Sequence, residues 1–311
     1  MTCFNPIQAR MGRKKQNGKH EIVFIGAKDQ RDENVIKLPC GKCIGCLRNR
    51  AREWSIRCVH ESQLNEQNCF ITLTYNKENL PATGSLQLRD FQLFMKRLRK
   101  WVWKHENKKL RFFHCGEYGP KLQRPHYHVL IFGYDFTDKI VYSTNGLGQR
   151  VYRSKILETI WTKGFSTIGN VTEESAQYVS RYTLKKVYGK EKNEHYGTKR
   201  PEYVTMSKRP GIGFQFLQKY KSDMYPKGSV VFNGHEQMPP RYYDKIYQEE
   251  NPYIMEEIKE DRKKRADRVR ATDYIENKRK KVSNNDSFRL PVRQRIVEER
   301  MKNLKRFWEE S

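Results

Sequence analysis

Arg124-Pro-His-Tyr-His-Val-Leu-Ile-Phe-Gly133 reads as a β-strand that opens polar and ends in an apolar run, Val129 to Phe132. Residues two apart on a strand point to one face. The imidazoles of His126 and His128 therefore leave that face together and can grip one metal ion. Upstream, Leu110 to Glu117 reads as another strand, and Tyr118 to Pro125, with Gly119 and Pro120, as the turn between them. In such a hairpin Glu117 sits beside both histidines. Two imidazoles and one carboxylate with open positions suit Mn²⁺ or Mg²⁺ bound to a phosphate oxygen, with Zn²⁺ as the alternative. A His-x-His pair alone is more often a packing or surface pair. The preceding acid and the apolar strand that follows turn the reading towards a site. His114 lies three residues from Glu117 and so falls on the opposite face of its strand.

Working outward, Cys69-Phe-Ile-Thr-Leu-Thr-Tyr75 reads as a strand, with Phe70, Ile71 and Leu73 among β-branched threonines. Residues 90–104 place Phe91, Phe94, Met95, Leu98, Trp101 and Val102 at helical spacing, with Asp90 as the expected N-cap. A second helix is expected over 153–162, opened by Ser154. Gly164 to Ile168 follows as a short strand, and then a helix from Thr172 to about Val187, with Glu173 and Glu174 where carboxylates suit the helix dipole. The order strand, helix, strand, strand, helix, strand is the split βαβ of a ferredoxin-like α+β domain with an antiparallel sheet.

The last helix carries Tyr178-Val-Ser-Arg-Tyr-Thr-Leu-Lys-Lys186. Tyr178 and Tyr182 are four apart and share a face, as does Lys186 four residues on. Phenol is a poor nucleophile at neutral pH, with a pKa of about 10. A metal-polarised phosphate and a nearby cation reduce that handicap. Lys186, with Lys185 as alternate, is read as the group that positions phosphate or stabilises phenolate. In isolation such a tyrosine pair would be read as core. Arg181, Lys185 and Lys186 around it argue for chemistry on phosphodiesters.

Lys and Arg number 62 against 36 Asp and Glu, a net charge of +26, and 12% of residues are aromatic. That balance attracts a polyanion whose bases can stack, so nucleic acid is the expected partner. No apolar run approaches a membrane span, and the first residues carry no secretory h-region. A cytoplasmic, reducing setting is expected, in which the seven cysteines serve as thiols or metal ligands. Cys40-Gly-Lys-Cys43-Ile-Gly-Cys46 offers three thiols, with Cys3, Cys58 or His60 as candidate fourth ligand. Structural zinc with Cys3 as the fourth ligand is favoured over an iron–sulfur cluster or free thiols. Three segments are expected: a Cys-rich extension with a helix (1–66), a central domain (67–225), and a charged, partly helical basic tail (226–311) broken at Ser283 to Ser287.

Taken in order, Phe70 to Tyr75, Cys115-Gly-Glu-Tyr-Gly119, Arg124-Pro-His-Tyr-His128, Tyr178-Val-Ser-Arg-Tyr182 with Lys185-Lys186, the cysteine run with Arg52, Trp54 and Arg57, and Lys208 to Gly213 resemble the HUH endonucleases. More specifically, the ordered set resembles the replication initiators of gokushovirus-type microviruses, over roughly residues 1–220. The resemblance implies a nickase of single-stranded origin DNA in a bacterial host. One tyrosine attacks the phosphodiester, the protein stays linked to the 5′ phosphate, and the freed 3′-OH primes a host polymerase. The second tyrosine then attacks the regenerated junction and a circle is released. No Walker-type phosphate loop is present, so a host helicase is implied. Two other readings share these features: a non-enzymatic DNA-binding or packaging protein, and a tyrosine transposase of the same superfamily.

Overall fold

The computed structural model describes residues 3–15, 20–26, 35–119, 122–185, 191–279 and 286–302. The chain divides into two compact units, one of Met1–Arg50 with Asp267–Leu304 and one built on Ala51–Ala266. The first unit holds a feature the sequence reading lacks. Strands β1 (Ile7–Lys14), β2 (His20–Phe24) and β3 (Val35–Leu38) form an antiparallel sheet in the order β2-β1-β3. Its period-2 apolar set (Ile7, Ala9 and Met11, then Ile22 and Phe24, then Ile36 and Leu38) is short and interrupted by Arg10, Arg13 and Lys14. Helix α1 (Ile44–Ser62) follows directly on the cysteine run.

The second unit is α+β. It contains β4 (Asn68–Tyr75), α2 (Leu88–Glu106), β5 (Arg111–Tyr118), β6 (Pro125–Phe132), β7 (Ile140–Thr144), β8 (Arg150–Arg153), α3 (Lys155–Ile160), β9 (Gly164–Gly169), α4 (Glu173–Lys185), α5 (Glu191–Tyr196) and β10 (Tyr203–Met206). Among the described residues these strands make a seven-stranded antiparallel sheet, β10-β5-β6-β4-β9-β8-β7. Strand β6 is inserted between β4 and β5, which α2 connects. Strand β4 is inserted between β6 and β9, whose connection contains β7, β8 and α3. The hairpin β7–β8 and strand β10 extend the sheet beyond the four strands read from the sequence.

Alternation along β4 and β6 sorts the core onto two faces. Ile71, Leu73, Tyr127, Val129 and Ile131 pack with Phe91, Phe94, Met95, Leu98 and Val102 of α2. Phe70, Leu130 and Phe132 pack on the other face with Ile56 and Val59 of α1 and Ala176 and Val179 of α4. Ser154 caps α3 as read, its hydroxyl accepting from the Leu157 amide. Asp90 does not cap α2, which begins two residues earlier. Its carboxylate instead accepts from the Tyr75 hydroxyl at 2.8 Å.

Residues 226–243, read as irregular, contain the hairpin β11 (Val230–Phe232) and β12 (His235–Gln237) and the start of α7 (Arg241–Glu250). After α6 (Phe214–Met224) these elements deliver Tyr243 and Tyr247, and α8 (Pro252–Arg279) delivers Met255 and Ile258, to the core of α1 and α4. A charged sequence here hides an apolar stripe on one helical face. Helix α9 (Asp286–Lys302) is the second helical piece of the tail.

Candidate active site

Strand register makes neighbours of the residues that sequence separates. In the β5–β6 hairpin Glu117 faces His126 and Cys115 faces His128. On the other side of β6, His126 faces Thr74 and His128 faces Thr72. Oε1 of Glu117 lies 2.9 Å from Nε2 of His126 and 2.7 Å from Nε2 of His128. Glu117 and His128 are buried, while His126 keeps 13% of its side chain exposed, so the cluster opens to solvent on that side. Burial pulls the Glu117 carboxyl up, but hydrogen bonds from the two imidazoles, and their charge, outweigh it. The group is held well below the usual carboxylate range.

These residues fit a divalent cation. The three ligand atoms lie within 4.8 Å of one another. The Nδ1 of His126 is 3.2 Å from the Arg124 carbonyl oxygen, which can only accept, so Nδ1 donates. A neutral His126 ring then turns an Nε2 lone pair towards an ionised oxygen. Either a second ring proton or a shared cation is needed to hold them together. The Nδ1 of His128 is in turn 3.0 Å from Thr72 Oγ1, a contact that orients the ring in the way that outer partners orient metal-ligating histidines. The sequence reading took Thr72 only as a β-branched strand residue. Its signal was its parity with Phe70 and Thr74 on a strand next to the His strand.

Helix α4 opens with a reciprocal cap, the Ser175 amide donating to Thr172 Oγ1 at 3.2 Å and the Thr172 amide to Ser175 Oγ at 2.8 Å. It packs on β5, β6 and β10 and brings Tyr178 onto the cluster. The Tyr178 hydroxyl is 3.5 Å from His128 Nε2, its ring edge-on at 5.1 Å, while Phe70 stacks against the same imidazole at 5.6 Å. Tyr182 follows on the same helix. The side chains of Tyr182 and Lys185, and Lys186 altogether, lie outside the described residues. His114 is on the opposite face, stacked at 3.3 Å on Phe91 of α2 and bonded to Thr205 Oγ1 at 2.9 Å. Burial above all, then the charge of His128, holds it well below the usual histidine value.

A second ligand set forms in the first unit. The sulfurs of Cys3, Cys40, Cys43 and Cys46 lie within 4.8 Å of one another. Amides of Phe4, Cys40 and Cys43 donate to the sulfurs of Cys43, Cys3 and Cys40 at 3.2–3.3 Å. Burial opposes ionisation of the Cys43 thiol, yet the Phe4 and Cys46 amides and the neighbouring thiols bring it down to about 6. The other candidate fourth ligands are engaged elsewhere. Cys58 is fully buried in the core, and His60 stacks on Phe216 at 3.9 Å with Nδ1 3.1 Å from the Tyr243 hydroxyl.

The family profile of the replication-associated protein ORF2 matches residues 68–187, the span from β4 through α4 that carries Glu117, His126, His128 and Tyr178. The chain is 38% identical over 258 residues to the replication-associated protein VP4 of Bdellovibrio phage phiMH2K, covering 81% of this chain and 79% of that protein. The chain belongs to the family of microvirus replication-associated proteins. It is also 32% identical over 312 residues to the replication-associated protein ORF2 of Spiroplasma virus 4, covering 91% and 96% of the two chains. Replication-associated protein ORF4 of Chlamydia phage 1 is 31% identical over 211 residues, 66% of this chain and 52% of that protein. No solved structure matches the chain. Membership of this family gives the chain a role in viral replication. No described helix is long and apolar enough to cross a membrane.

Proposed function

We propose that this replication-associated protein is a rolling-circle initiator that nicks single-stranded origin DNA through tyrosine and later rejoins the ends. The observation that carries the reading is the Tyr178 hydroxyl 3.5 Å from His128 Nε2, beside the Glu117–His126–His128 cluster. The strand order β5-β6-β4-β9, with its two interleaved crossovers, supports a ferredoxin-like HUH domain around that cluster.

In this reading the phenol oxygen forms a bond to phosphorus, the bond from phosphorus to the 3′ oxygen breaks, and the phenol proton ends on the departing 3′-OH by way of solvent. Glu117, His126 and His128 hold Mg²⁺ or Mn²⁺, which when bound polarises the scissile phosphate and neutralises its developing charge. Thr72 keeps His128 turned to the cluster. Lys186, or Lys185, positions the phosphate and stabilises phenolate. Tyr182 supplies the second attack that releases a circle. A host polymerase extends the 3′ end and a host helicase opens the duplex, in the cytoplasm of the bacterial host. The four thiols Cys3, Cys40, Cys43 and Cys46 hold a structural zinc, whose tetrahedral sulfur preference they match.

The test is end-labelled single-stranded origin DNA incubated with the protein and Mn²⁺ or Mg²⁺ and run on a denaturing gel. A discrete nick and a covalent protein–DNA adduct are expected. Tight DNA binding with no nick under either metal would sink the reading and leave a packaging protein.

A further inference from the structure

One row of the seven-stranded sheet runs on past the catalytic cluster. Glu117 faces His126, His126 faces Thr74, and Thr74 faces Phe165. Cross-strand partners project from the same face, so Phe165 shares the face of the metal ligands. At about 4.8 Å per strand its backbone is two strands, about 10 Å, from that of His126. On this face the next row, His128, Thr72 and Thr167, is polar beyond the histidine. Into this polar shelf the sequence inserts a phenylalanine ring that is 57% exposed. The ring covers no core: the buried residues of β9 are Ser166, Ile168 and Gly169, and of these Ile168 belongs to the α2 side.

The position of the ring is tightly set. Gly164, immediately before it, has φ +149°, and a Cβ there would meet the Asn76 amide nitrogen at 2.3 Å and the Thr74 carbonyl oxygen at 2.4 Å. The Asn76 amide donates to the Lys163 carbonyl at 3.0 Å. The start of β9 is thus pressed against the end of β4, and the backbone beneath Phe165 is fixed before any ligand arrives. A cation stands at the other end of the row. Arg124, two residues before His126, donates to the Tyr75 carbonyl at 2.8 Å, and its buried Nε has no partner among the described residues.

We infer that Phe165 is the stacking platform for one nucleobase near the scissile phosphate, so that single-stranded DNA crosses β6, β4 and β9 with its phosphate at the histidines and a base on the ring. The inference rests on the nicking reading for the identity of the strand. Stacking on an aromatic is sequence-tolerant and is supplied here by geometry alone. It positions the substrate, and Phe165 takes no part in bond making.

The test uses the full chain and a labelled single-stranded oligonucleotide that the wild-type protein cuts. Phe165→Ala should weaken binding and raise KM about 5- to 150-fold, the range that ~1–3 kcal/mol per stacked base corresponds to. The cleavage rate at saturation should change little, and Phe165→Trp should restore affinity. Because the ring is exposed, thermal melting should be unaffected. The decisive arm moves one abasic residue along the oligonucleotide. Wild type should lose affinity sharply at one position close to the cut, and Phe165→Ala should lose nothing further there. Wild-type affinity in Phe165→Ala, or additive losses at every abasic position, overturns the inference while nicking stands. Protein that cuts no strand, yet binds one with the same abasic pattern, overturns the nicking reading and leaves the platform.

Discussion

Oε1 of Glu117 stands 2.7 Å from Nε2 of His128, inside a hairpin whose register makes Glu117 the direct partner of His126. A fully buried, ionised carboxylate so close to two ring nitrogens is costly to leave without a cation. His126→Ala and His128→Ala are each expected to abolish metal-dependent nicking. Both should leave most DNA affinity, which depends on many phosphate contacts and falls steeply with salt. Glu117→Ala should act in the same direction but less severely, since water can replace one carboxylate oxygen. Unchanged nicking by both histidine variants would remove the metal centre from the mechanism.

Tyr178 and Tyr182 differ by about 6 Å along the helix axis, at 1.5 Å per residue. Tyr178 already touches the cluster. Tyr178→Phe and Tyr182→Phe singly are expected to keep some cleavage and the double variant none, while each single variant fails to release closed circles. Mass spectrometry of the covalent adduct should map DNA to these tyrosines. An adduct on another side chain, or circle release by a single-tyrosine variant, would overturn the alternation.

Most of the catalytic half was legible because its signals are local. A two-residue period put both histidines on one face, a turn put Glu117 beside them, and a four-residue period put Tyr178 and Tyr182 on one helical side. What escaped the reading depends on distant pairing. Strand β1 carries arginines between its apolar residues, and only its partners β2 and β3 show that Ile7, Ala9 and Met11 form a face. Tyr243, Tyr247, Met255 and Ile258 lie among charges and reveal themselves as core only once α1 and α4 are in place. Thr72 escaped for the same reason, since its partner, His128, is 56 residues away.

That contact yields its own prediction. Thr72→Val keeps the shape of the side chain and removes the hydroxyl 3.0 Å from His128 Nδ1. Loss of such an outer partner usually costs 10- to 100-fold in metal affinity or activity, so the metal concentration giving half-maximal nicking should rise by about that factor. DNA affinity and melting should hold. A rate that falls equally at saturating metal would show that Thr72 acts on something other than the ligand.

The cysteine cluster should act on folding before chemistry. Cys3 and the run from Cys40 to Cys46 are far apart in sequence, so a cation held by all four sulfurs closes a long loop and ties metal binding to stability. Purified protein should contain about one zinc per chain at this site. Chelation or Cys43→Ser should lower the melting temperature while residual folded protein still nicks. Protein free of zinc and iron, with normal melting of Cys43→Ser, would reduce the cluster to four thiols.

His60 gives the fold a pH dependence of defined sign. Burial between Phe216 and Tyr243 pushes its pKa down to about 4, against an ordinary value of 6.5. Above pH 6.5 the ring is neutral in both folded and unfolded chains, and no dependence arises from it. As pH falls below that value, the unfolded chain takes up a proton that the native ring refuses, and stability drops until about pH 4, where the native ring also titrates. At 1.36 kcal/mol per unit the full loss is about 3 kcal/mol. His60→Gln keeps a hydrogen-bonding side chain and cannot titrate. It should be less stable than wild type at pH 7.5, and the gap should shrink steadily in urea titrations between pH 6.5 and 4. A gap that stays constant across that window would mean that His60 is already solvated or charged in the native protein.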